Sequence, residues 1–103
     1  MSQISQNNAT VSSLPIIGIL GAGQLSTMMT EAYQELGGQT YVFDENPNSP
    51  ASRVANKFVV GKATELDDLV AFFRQVDIVT LENEFIDSAL LIKAAELLSL
   101  IHI

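Results

Sequence analysis

Gly21-Ala22-Gly23-Gln24-Leu25-Ser26 joins an apolar run, Ile16–Leu20, to an amphipathic stretch that begins at Gln24. Residues in this order make a strand that enters a glycine turn and leaves it as a helix. Such a turn aims unpaired backbone N–H groups outward at the helix N-terminus, where the dipole favours an anion, usually a phosphate. The spacing matches G-x-G-x-x-G except that Ser26 replaces the last glycine. Gly21 allows the tight turn and Gly23 the close approach of a ligand. The third position governs how tightly helix and strand pack, and a serine there loosens the match. No lysine follows, so the segment is not a Walker A loop. A turn that needs glycine for backbone reasons alone is the competing reading, and the strand before it and helix after it favour binding.

Glu82 and Glu84 are the second candidate feature. Two apart at the end of a strand, they share a face and leave Asn83 on the other. Their repulsion raises at least one carboxyl pKa, or calls for a cation or an amine donor between them. That arrangement suits an amino group near a phosphate held by the glycine turn. For Glu84 the alternative is a solvated acid before a helix N-terminus. Asp44 follows a strand about 20 residues past the glycines, where dinucleotide enzymes place a ribose-binding acid. It also begins a loop of Glu, Asn, Pro and Ser, where an aspartate commonly bonds its own turn. His102 stands alone in an apolar C-terminal stretch, and no residue reads as a nucleophile.

These groups need elements to place them. Pro15–Leu20 reads as a buried strand, and Leu25, Met28, Met29, Ala32 and Leu36 form one face of a helix stopped by Gly37-Gly38. Thr40–Phe43 is a second strand, Ala51–Ala55 a short helical turn and Phe58–Val60 a third strand. Thr64 caps a helix striped by Leu66, Leu69, Val70 and Phe73, Asp77–Leu81 is a fourth strand, and Ile86–Leu98 a third long helix. Leu91, Ala95 and Leu98 give that helix a second apolar set, as if a further domain covers it. The alternation predicts an α/β, Rossmann-like parallel sheet of about four strands flanked by helices. The first strand lies centrally, the second and third on one side and the fourth on the other. Loops after the first and fourth strands then leave toward opposite sides and open a crevice, with the glycine turn on one wall and Glu82 on the other.

The chain's 103 residues suit one domain. Mean hydropathy is +0.27, which argues against wholesale disorder. A net charge of −7 with only five Lys and Arg gives no diffuse attraction for nucleic acid or an anionic membrane. Without cysteine there are no disulfides or thiolate metal sites. No apolar run approaches the ~20 residues of a membrane span and the start lacks signal-peptide features, so a cytoplasmic address is expected. Residues 1–13 read as a disordered tail, 14–98 as the domain and 99–103 as a divergent tail.

Three segments together carry a resemblance: Ile17-Gly18-Ile19-Leu20-Gly21-Ala22-Gly23-Gln24-Leu25, then Val42-Phe43-Asp44 with Pro47 and Ser49-Pro50-Ala51, then Asp77-Ile78-Val79-Thr80-Leu81-Glu82-Asn83-Glu84. They resemble the N-terminal domain of the 5-carboxyaminoimidazole ribonucleotide synthetase family, ATP-grasp enzymes of purine biosynthesis, from about Pro15 to Glu96. The resemblance implies that ATP and magnesium activate bicarbonate as carboxyphosphate, which carboxylates the exocyclic amine of aminoimidazole ribonucleotide. It places the ATP and Mg sites in later ATP-grasp domains and gives this domain a share of the ribonucleotide site. By the same resemblance Gly23, Gln24 and Leu25 lie against the substrate and Glu82 receives its polar or amino portion; Gly21 and Glu84 join them as candidate substrate-binding residues. No catalytic residue and no metal ligand is assigned to this chain, and a homodimer is one assembly left open.

The chain departs from that family in Ser26-Thr27, which stands where Gly-Arg is common, and in Leu98–Ile103. The ATP-grasp domains are missing, so a truncated and catalytically silent piece of a longer enzyme is expected. Formate-dependent glycinamide ribonucleotide transformylase is a similar relative. An NAD(P)-binding oxidoreductase domain using Asp44, or a nucleotide-sensing module, are the readings from other classes.

Overall fold

The computed structural model describes residues 14–82, together with 92–94 and 96. In chain order the elements are β1 (Ile16–Leu20), α1 (Gln24–Glu35), β2 (Gln39–Asp44), a 3-10 helix (Pro50–Arg53), β3 (Lys57–Val60), α2 (Leu66–Phe73) and β4 (Ile78–Leu81). The four strands form one parallel sheet in the order β3-β2-β1-β4, the topology expected from the alternation. Register is direct: Leu20 lies beside Phe43 on one side and Leu81 on the other. The ladder runs one step past β4, where the Glu82 N–H donates to the Leu20 carbonyl at 3.0 Å.

Alternation along β1 divides the core. Leu20 joins Phe43, Leu69, Phe72, Phe73 and Val79 on one face, and described residue Ala94 is buried there too. Ile19 joins Ala22, Val42 and Ala51 on the other. The Phe43 and Phe72 rings meet at 5.2 Å and 46°, a tilted contact that adds to burial worth about 1.5–3 kcal/mol per side chain.

The structure corrects the reading of α1. Ser26 and Thr30 are fully buried, whereas Leu25, Met28 and Leu36 are 49%, 57% and 74% exposed. Small residues at i and i+4 let the helix approach the sheet closely, so packing distance rather than apolarity chose the inward face. Met29, Tyr33 and Leu36 instead border an apolar groove of about 400 Å³, whose floor is Ile17, Ile19 and Ile78. Met28 is therefore not a core residue, and Met29 is only half-buried.

Other differences are local. The helical turn expected over Ala51–Ala55 is the 3-10 helix Pro50–Arg53, because proline suits a helix start. Thr64 does not cap α2: the cap residue is Glu65, with no side-chain hydrogen bond. Asp68 in the first turn instead accepts the Lys62 N–H at 2.9 Å. Asp77 precedes β4 rather than starting it, and its carboxylate accepts the Ile16 N–H at 2.7 Å. Of the third long helix, Ile92–Ala94 and Glu96 are helical, while Leu91, Ala95, Leu98 and both tails lie outside the described residues.

Candidate functional site

The turn after β1 is built from backbone requirements. Gly21 has φ +109°, a conformation side chains disfavour, and its N–H donates to the Phe43 carbonyl at 2.9 Å. The 3-10 helix braces the turn, with the Ala51 N–H on the Ala22 carbonyl at 3.1 Å. Gly23 is the N-cap of α1 and offers no side-chain cap.

That cap comes from the far end of the chain. The Glu82 carboxylate accepts the Gly23 N–H at 2.6 Å through Oε1 and the Ser26 N–H at 2.9 Å through Oε2. The Ser26 hydroxyl lies 3.1 Å from Glu82 Oε1 and also reaches the Gly21 carbonyl, its single hydrogen serving one of the two. The Thr27 hydroxyl turns back to the Gly23 carbonyl at 3.0 Å. Parallel pairing of β1 and β4 brings both C-terminal ends together, which places Glu82 directly over the first turn of α1.

One sequence expectation is corrected here. The Gly23 and Ser26 amides are not free for a phosphate, because a protein carboxylate already holds them. Of the acidic pair, Glu82 is not the carboxyl whose pKa is raised. Burial pushes it up, but the N–H groups of Gly23 and Ser26, the Ser26 hydroxyl and the Leu25 N–H together hold it below the ordinary glutamate range. Any contribution from Glu84 lies outside the described residues.

Gly23 makes room for a neighbour within the protein. A Cβ there would stand 3.1 Å from Glu82 Oε2 and 3.2 Å from Oε1. Gly23 and Glu82, expected on opposite walls of a crevice, are in direct contact. Gln24 and Leu25 are exposed at the start of α1, beside this contact. Ser26 was legible only as a departure from a glycine pattern. Its burial and its bond to Glu82 make it part of the site, and a small hydroxyl three residues past the turn glycine was the available signal.

Asp44 closes its own loop, its Oδ2 accepting the Asn46 N–H at 3.0 Å and the Ser49 hydroxyl at 2.9 Å. This is the local turn-forming role, and it engages one oxygen of the carboxylate that a nicotinamide reading assigns to a ribose.

A family model described as the ribonucleotide synthetase preATP-grasp domain matches residues 14–101. The N5-carboxyaminoimidazole ribonucleotide synthase of Staphylococcus haemolyticus is 34% identical over 80 residues, covering 78% of this chain and 21% of that protein. The N5-carboxyaminoimidazole ribonucleotide synthetase of Thermotoga maritima superposes with a TM-score of 0.77 at 32% identity, over 86% of this chain and 25% of that one. The Staphylococcus aureus N5-carboxyaminoimidazole synthetase complexed with ADP gives 0.76 at 32%, over 80% and 22%. The chain thus spans between a fifth and a quarter of the length of these proteins.

Proposed function

Because the chain belongs to the ribonucleotide synthetase preATP-grasp domain family, we propose that it forms the ribonucleotide-facing part of an ATP-dependent ligase. In this reading the ligase carboxylates 5-aminoimidazole ribonucleotide with bicarbonate in purine biosynthesis, a reaction that fits the relatives' name of N5-carboxyaminoimidazole ribonucleotide synthase. The single observation that carries the reading is the Glu82 carboxylate seated on the Gly23 and Ser26 amides at the C-terminal edge of the sheet.

A carboxylate offers about four lone-pair sites. Gly23 and Ser26 use at least two of them here. When the Ser26 hydroxyl gives its hydrogen to the Gly21 carbonyl, the site it leaves accepts a hydrogen bond from a ligand N–H or O–H, so the wall suits an amine or a sugar hydroxyl. Backbone donors keep Glu82 ionised and fixed in one orientation, so it binds and orients such a group without rearranging. Gly21, Gly23, Gln24 and Leu25 supply the adjoining surface, and Glu84 completes the proposed set.

The described residues do not fit a magnesium nucleotide. Among them no group of three or more His, Cys, Asp or Glu could hold a metal ion, and the turn amides are engaged by Glu82. ATP and magnesium therefore belong, in this reading, to residues outside those described. Alone, the 103-residue chain is catalytically silent.

The test is calorimetry of this chain with aminoimidazole ribonucleotide and, in parallel, NADH. Binding of the ribonucleotide that Glu82→Gln weakens supports the proposal. Binding of NADH that Asp44→Ala abolishes overturns it in favour of an oxidoreductase domain.

A further inference from the structure

We propose that Glu82 is a built-in plug of the glycine turn and that Ser26 positions it, so that the turn rejects free oxyanions such as phosphate and sulfate. The inference deepens the reading above, and rests on its placing Glu82 in the wall of the ligand site. It adds that the phosphate of any ribonucleotide bound there is held by groups other than these amides.

Three observations support it. The Gly23 and Ser26 N–H groups, which a strand-turn-helix of this kind offers to a phosphate, both end on Glu82, at 2.6 and 2.9 Å. Glu82 is delivered by the sheet, its own N–H bonded to the Leu20 carbonyl at 3.0 Å, so it reaches the turn without the translational loss a free anion suffers. The second turn glycine is fitted to the plug: Gly23 leaves room for the two carboxylate oxygens that a Cβ would meet at 3.1 and 3.2 Å. An arriving oxyanion thus finds its donors engaged and a fixed negative charge in its place. Glu82 stays ionised at neutral pH, its pKa being held down by the same donors.

Ser26 contributes twice. Its N–H binds Oε2 and its hydroxyl stands 3.1 Å from Oε1, so one buried residue touches both oxygens and fixes the carboxylate plane. Glycine at the same position supplies only the N–H.

The experiment is a sulfate titration of the full 103-residue chain, followed through the Gly23 and Ser26 amide cross-peaks in 1H–15N spectra. Without ribonucleotide present, its outcome is separate from that of the functional reading. In the unaltered chain these peaks stay in place. In Glu82→Ala they move saturably, with apparent affinity raised about tenfold or more, the size of one charge-assisted hydrogen bond. Should that variant lose its dispersed spectrum, Glu82→Gln, uncharged but similar in shape, carries the same comparison. Equal sulfate affinity in the unaltered chain and the folded variant overturns the plug. For Ser26, the readout is the titration midpoint of the Glu82 carboxyl. It rises in Ser26→Ala and returns in Ser26→Thr, and an unmoved midpoint in Ser26→Ala removes the positioning role.

Discussion

The carboxylate of Glu82 and the N–H of Gly23 meet at 2.6 Å although 59 residues separate them in the chain. This bond ties the last described strand to the first helix and converts a helix N-terminus without a cap of its own into a capped one. It also determines what the glycine turn can bind.

Adding a methyl at Gly23 tests the closeness of that contact. Gly23→Ala pushes the carboxylate outward, since the new Cβ would stand 3.1 Å from Oε2. Urea unfolding should show a loss of about 0.5–1.5 kcal/mol, the size of one hydrogen bond lengthened by a few tenths of an ångström.

Acid should weaken the same tie. The Glu82 pKa is lowered in the folded chain, so its contribution to stability is present above the unfolded-state value. That contribution is lost as pH falls through the folded value, below the ordinary glutamate range. Urea midpoints measured through this window should decline less steeply in Glu82→Gln than in the unaltered chain.

The orientation of α1 makes opposite demands on two kinds of residue. The Thr30 hydroxyl is buried without a hydrogen-bond partner among the described residues, so Thr30→Val should be neutral or stabilising by about 1 kcal/mol. Met28→Ser, at a position 57% exposed, should change stability by about 0.5 kcal/mol or less. Thermal unfolding of both variants separates this packing from one with the methionine inside.

Gly18 marks where α2 and the segment after it lie against β1. A Cβ there would come within 2.8 Å of Val76 and 3.0 Å of Phe72. Gly18→Ala should therefore cost about 1–3 kcal/mol of stability by overpacking, read by denaturant unfolding.

Strand order, the crossover pattern and the meeting of the glycine turn with Glu82 at one sheet edge were all legible, because alternation of apolar runs and breakers dictates them. The inward face of α1 was not. Leu25, Met28 and Leu36 have helical spacing, but spacing does not reveal that Ser26 and Thr30 permit closer approach to the sheet. The occupancy of the turn was hidden for a related reason. Glu82 and Gly23 read as facing one another across a ligand, and only the hydrogen bond between them shows that they touch. Asp44 was legible in both its roles, and the structure shows the turn-forming one through Asn46 and Ser49.

The most direct test of the account is a pH titration of the Glu82 side-chain carboxyl by 13C NMR, with the Gly23 and Ser26 amide protons followed in the same samples. The account expects one shared inflection, below the ordinary glutamate range, in all three signals. A Glu82 midpoint at the ordinary value, with amide protons that do not follow it, would contradict the contact on which the site is built.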